Sequence, residues 1–171
     1  MERYIWNATQ KNSIFGCFEV TIGFNVKHPQ RVDYMTMSSK SEFRCYEIKV
    51  SKADFHSKAH NTFVAHYNFY VLTDELYELV KDEIPKGIGV YVRGSLKVRA
   101  KRRELTVDIN ILKDSMIRSL CREFQKQYNS LDESIIAKLN RSVSRYKSER
   151  NKYKKLYENL SNKICEESLK K

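Results

Sequence analysis

Proline and glycine are scarce in this chain of 171 residues, two and five respectively, which excludes a Pro/Gly-rich linker and leaves domain punctuation to changes of pattern. No run of about eighteen apolar residues occurs, so no membrane-spanning helix is expected. The opening residues MERYIWNATQ have neither the apolar stretch nor the small-residue cleavage site of a secretory signal. Cys17, Cys45, Cys121 and Cys165 stand far apart, with no CxxC pair and no Cys/His cluster of zinc spacing. They read as reduced thiols in a soluble, intracellular protein.

What the chain does have is enough apolar and aromatic surface to fold: 41% hydrophobic residues, with eleven Tyr and eight Phe. The length suits one domain with an appendage. Thirty-two Lys and Arg against twenty-one Asp and Glu leave a formal charge of +11. Such an excess points to a polyanionic partner, DNA first, with solubility alone as the bland alternative.

The pattern changes near residue 114. Before it lie short β-rich runs at 18–24, 32–37, 43–50, 68–72, 89–92, 96–98 and 105–109. Three helices interrupt them: a weak one over 2–12, one beginning after Ser51, which can cap it with Asp54 in the first turn, and one over 74–83 closed before Pro85. Helices between strands predict an α/β or α+β protein with a central mixed sheet flanked by helices. The expected division is a sheet domain over 1–114 and a helical extension over 115–171.

In that extension Ile136, Leu139, Val143, Tyr146, Tyr153, Tyr157, Leu160 and Ile164 recur by threes and fours, the a/d seam of a coiled coil, with Arg150 interrupting one a position. Such a helix either docks on its own domain or pairs with a second copy as a homodimer. From 115 onward fourteen Lys and Arg face seven Asp and Glu, so this part holds +7 of the charge. A DNA-gripping arm and a solvated helix face both fit that bias.

Hydrolysis of a phosphodiester needs a nucleophilic water, neutralised phosphoryl oxygens and a stabilised leaving oxygen, and Mg²⁺ held by carboxylates can serve all three. In RVDYMTMSSKSEFRCYEIKV, Asp33 lies in one strand-like run and Glu47 in the next. If these pair as an antiparallel hairpin centred on Lys40, Asp33 stands opposite Glu47, and the period of a strand puts Lys49 on the same face. A slip of one residue would send Asp33 to the other face. The carbonyl of Ile48 is a further candidate ligand, and Lys49 can orient the attacking water and stabilise developing charge.

The stretch RVDYMTMSSKSEFRCYEIKVSKADFHSK resembles the core of the PD-(D/E)xK nuclease superfamily. It is most similar to the MmcB-like branch of DNA-repair and phage proteins, which share (R)xD followed by EIKxSxADF. The resemblance covers roughly residues 15 to 105. It implies a restriction-endonuclease-like α-β-β-β-α-β core, Mg²⁺ (replaceable by Mn²⁺) at Asp33 and Glu47, and Lys49 as the catalytic lysine. It also implies a cytoplasmic setting in a bacterial cell or phage-infected host. A further acidic ligand comes from Glu19 or Glu2, with Glu19 preferred. Asp54, the acid of ADF, is either a hydrogen-bond partner of Lys49 or a helix cap, and the cap is the favoured reading.

Ser51, Lys52, His56 and Lys58 surround the start of the same helix, where N–H groups and cations can hold a phosphate. His60 and His66 have no partners at ligand or triad spacing and read as structural. The run 93–103, RGSLKVRAKRR, carries six basic residues, of which Arg99, Lys101, Arg102 and Arg103 are expected to follow a DNA backbone near the metal. The sequence thus predicts a metal-dependent DNA endonuclease. Its alternatives are a non-cleaving DNA-binding accessory protein with a nuclease fold and an interaction protein built around the coiled coil.

Overall fold

The computed structural model describes residues 1–23, 29–57, 61–130 and 133–168, without the side chains of 133 and 163–168. Lys58 and His60 lie outside the described residues, as does the end of the run expected at 18–24. The chain divides into two compact units, Met1–Arg122 and Glu123–Lys171.

Six strands form one mixed sheet in chain order: β1 (Ile14–Ile22), β2 (Gln30–Ser38), β3 (Phe43–Ile48), β4 (Tyr67–Leu72), β5 (Gly89–Val92) and β6 (Ser95–Val98). The first three are antiparallel, β3, β4 and β5 run parallel, and β6 returns antiparallel at the edge. The β5–β6 hairpin closes in two residues, Arg93 and Gly94, both at positive φ (45° and 83°), the geometry that matches the strand twist.

The two faces of the sheet are filled differently. On one, Met35, Phe43 and Cys45 pack with Leu112 and Met116 of α4 (Ile109–Ser130), and Tyr70, Leu72 and Val90 pack with Leu76 and Val80 of α3 (Asp74–Val80). On the other, Ile5 of α1 (Glu2–Thr9) joins Tyr34, Tyr46, Phe69 and Val71. Thr73 caps α3 by accepting from the Leu76 N–H at 3.2 Å. Burial of Leu112, Ser115, Met116 and Ser119 ties the first turns of α4 to the first unit, so the units divide after Arg122 and not at the expected residue 114. Cys17 and Cys45 are buried and reduced, and burial pushes the Cys45 thiol up to about 12.

The strand expected at 105–109 does not form. The backbone of this stretch serves three different neighbours in turn: Lys101 donates to the Gly87 carbonyl, Arg103 to His66 and Thr106 to Val64. It therefore crosses the end of the sheet instead of lining up along one strand, while Leu105, Val107 and Ile109 pack on the core.

The second unit is dominated by α5 (Glu133–Ser168), on which Ile136, Leu139, Val143, Tyr146, Tyr153, Tyr157 and Leu160 are exposed. No helix among the described residues is long and apolar enough to cross a membrane.

Candidate functional site

The hairpin of β2 and β3 is centred on Lys40, with Tyr34 opposite Tyr46, Met35 opposite Cys45 and Met37 opposite Phe43. Asp33 and Glu47 are the next positions in this register. The ladder stops just short of them, and the same happens on the other side of β2, where Phe18 pairs with Tyr34 and Val20 with Val32 but Glu19 does not pair with Asp33. Glu19 sits at φ 54°, a left-handed conformation that interrupts the strand. The Ile48 N–H, left without a strand partner there, donates instead to Oδ2 of Asp33 at 2.8 Å.

Glu47 is almost fully buried, 3% exposed, and its Oε1 accepts from the Thr62 N–H at 3.1 Å. Burial, and then the negative charge of Asp33, raise the Glu47 carboxyl to about 7, against the opposing pull of the Thr62 hydrogen bond and Lys49. Lys49 is also buried, at 7%, and its Nζ lies 3.6 Å from Oδ1 of Asp54. Its backbone N–H donates to the Val71 carbonyl, which holds the end of β3 against β4.

Asp54 does more than cap. Its N–H donates to Oγ of Ser51 at 3.1 Å at the start of α2 (Lys52–Phe55), while its carboxylate faces Lys49 and accepts from the Val50 N–H at 3.4 Å. Lys52 is exposed at the same helix start.

Two other residues belong here that sequence reasoning missed. Tyr70 is the β4 neighbour of Glu47, and its hydroxyl is pushed up by burial and by the Glu47 charge. Asn61 donates to that hydroxyl at 2.7 Å, and its own Oδ1 is buried with no partner among the described residues. Only the parallel register of β3 and β4 brings Tyr70 beside Glu47, and that register leaves no trace in local periodicity.

Asp33, Glu47 and Lys49 thus meet at the carboxyl end of β3, the end of parallel strands where α/β sheets bind ligands. Glu19 does not join them: its carboxylate is ion-paired with Arg31 Nη1 at 2.8 Å. Among the described residues no three His, Cys, Asp or Glu side chains form a metal-holding group. Two carboxylates with a neighbouring main-chain carbonyl nonetheless make an all-oxygen set suited to Mg²⁺, which keeps several waters of its own. The raised Glu47 carboxyl reflects its burial first and the neighbouring Asp33 second.

The basic run lies elsewhere than expected. Through Lys101 to Gly87 and Arg103 to His66 it is stitched to the residues that precede β5 and β4. Arg99, Lys101, Arg102 and Arg103 therefore sit at the amino ends of the parallel strands, not near the carboxylates. The six residues of β3, roughly 16 Å at about 3.3 Å per residue, separate the two ends. Arg93 is taken up by Asp74 at 2.5 Å. His66 is structural, its Nδ1 accepting from the Phe43 N–H at 3.0 Å.

No protein-family model matches the chain. No curated protein is similar to it in sequence. A solved structure, the SPO1766 protein of unknown function from Silicibacter pomeroyi, is similar over 74% of this chain and 84% of its own, with a TM-score of 0.56 and 18% identity. At that identity the likeness shows a shared fold: a mixed α+β architecture with a six-stranded sheet flanked by helices.

Proposed function

We propose that the first unit is a restriction-endonuclease-like, PD-(D/E)xK-type deoxyribonuclease, related to the MmcB-like branch, that hydrolyses phosphodiester bonds of DNA with Mg²⁺. The observation that carries the reading is the convergence of Asp33, Glu47 and Lys49 at the carboxyl end of β3, with Asp33 fixed by the Ile48 N–H at 2.8 Å. Asp33 and Glu47, with the Ile48 carbonyl, would hold the ion. Mg²⁺ there supplies charge neutralisation at the phosphoryl oxygens and a more acidic water.

The chain's own groups do the rest. Lys49, ion-paired with Asp54 at 3.6 Å, orients the attacking water and meets the charge that develops on the phosphoryl group. Thr62 fixes Glu47 through its backbone N–H, so the acid needs no reorganisation when it is engaged. Burial of Glu47 and Lys49 excludes bulk water and strengthens each of these interactions.

The test is cleavage of plasmid and branched DNA with Mg²⁺ or Mn²⁺. Cleavage lost in Lys49→Ala supports the enzyme. If wild type cleaves nothing while still binding DNA, the non-cleaving accessory protein takes its place.

A further inference from the structure

The sheet carries a concavity on the face away from Asp33, Glu47 and Lys49. It is a cavity of about 360 Å³, within the range of small-ligand sites. The end of α1 at Thr9 and Lys11, the middle strands and the segment after β6 at Arg99 and Ala100 frame it.

Its floor is aromatic and fixed. Tyr46 stacks on Phe69 with centroids 5.1 Å apart and planes at 13°, and Tyr91 meets both at angles near 60° and distances of 5.9 and 5.3 Å. Gly89 has no freedom to change here, because a Cβ would run into the Phe69 ring. Tyr67 and Tyr91 are half-buried and keep part of their surface open.

Its rim is cationic. Lys11, Arg44 and Arg99 line the cavity, and among the described residues no Asp or Glu does. Arg44 is committed, ion-paired with Glu42 and lying 5.4 Å over the Tyr67 ring. Lys11 and Arg99 have no carboxylate partner among the described residues. An inorganic anion would use the cations and waste the rings, and a neutral apolar ligand would do the reverse. A flat aromatic ring that carries an anionic group uses both.

We propose that this second face binds a nucleobase with its phosphate, the base against Tyr67 and Tyr91 and the phosphate at Arg99 and Lys11. The phosphorylated base comes either from a free nucleotide or from one residue of a single strand, since stacking on aromatic side chains accepts both. The site is independent of the carboxylates. It accounts for Arg99, which the cleavage chemistry leaves unused.

The full-length protein is titrated with 2-aminopurine nucleoside monophosphate, whose fluorescence falls on stacking, and with a short single-stranded oligonucleotide containing the same base. Saturable quenching is expected with at least one probe, and the better probe names the source. Arg99→Ser, a change at an exposed residue, should weaken binding by roughly tenfold, Tyr91→Leu should remove the quenching, and Lys49→Ala should leave both unchanged. Circular dichroism checks that each variant is folded, with Tyr67→Leu as the replacement if Tyr91→Leu is not. The proposal is overturned by absence of saturable quenching with either probe up to about 1 mM. Equal binding of the unphosphorylated nucleoside, or quenching that survives both Arg99→Ser and the tyrosine change, overturns it as well.

Discussion

Asp33 and Ile48 are joined by a hydrogen bond of 2.8 Å in which a side-chain carboxylate stands in for the missing strand partner of a backbone N–H. The acid proposed to hold the metal is therefore also the plug that finishes the β2–β3 hairpin. Its two roles separate by substitution. Asp33→Asn keeps an acceptor for the Ile48 N–H and should unfold in urea near the wild-type midpoint. Asp33→Ala leaves the N–H unpaired and should cost about 1–2 kcal/mol, while both variants lose metal-dependent cleavage.

Glu47 predicts a pH dependence whose sign is fixed by its environment. Its carboxyl is raised from 4.5 to about 7, so the folded state holds the proton more tightly than the unfolded state. Without divalent ions, stability should fall as pH rises from about 4.5 to about 7 and level off above, by at most about 3 kcal/mol from this group. Thermal unfolding in chelator should show that decline in wild type and its loss in Glu47→Gln, which should be the more stable protein above pH 7. Added Mg²⁺ should restore stability at pH 8 to wild type alone.

Lys49→Ala should lower cleavage by about a hundredfold or more with the fold intact by circular dichroism. Lys49→Arg should not rescue it, because a planar guanidinium cannot occupy the point position of a buried ammonium. Asp54→Ala releases the Lys49 ammonium from its 3.6 Å partner and frees the Val50 N–H, and it should give a smaller loss in kcat.

Arg102 and Arg103 are at the far end of the strands from the carboxylates, where they can position a phosphate backbone without touching the reacting atoms. Their replacement by Ser should raise KM and reduce the salt dependence of DNA binding by about one unit of slope for each phosphate that the variant no longer neutralises. The kcat measured at saturating substrate should not move.

The heptad face of α5 is exposed at Leu139 and Leu160, 61% and 59%. Pairing with a second copy would cover it. Sedimentation of the full chain should show a dimer, and Leu139→Lys combined with Leu160→Lys should give a monomer with unchanged sheet structure.

The hairpin register was readable because Asp33 and Glu47 are equidistant from Lys40 and the intervening turn is polar. Ser51 and Asp54 likewise announced the start of α2 through local capping chemistry. What local pattern could not disclose came from distant parts of the chain. A Glu at positive φ gives no warning in sequence, so Glu19 passed for an ordinary strand residue. The pairing of Tyr70 with Glu47 depends on a parallel crossover whose register nothing nearby specifies. Residues 105–109 alternate like a strand, yet the N–H groups of Lys101, Arg103 and Thr106 go to three different partners, which carried the basic run to the opposite end of the sheet.

Cys45 gives the sheet a built-in clock. Its thiol is fully buried in the middle strand and pushed up to about 12, so an alkylating reagent at neutral pH reaches a thiolate there only when β3 has separated from its neighbours. Cys121 is exposed and should react at once. The interval between the two labelling events, followed by mass spectrometry in native buffer, reads the opening rate of the strand that carries Glu47.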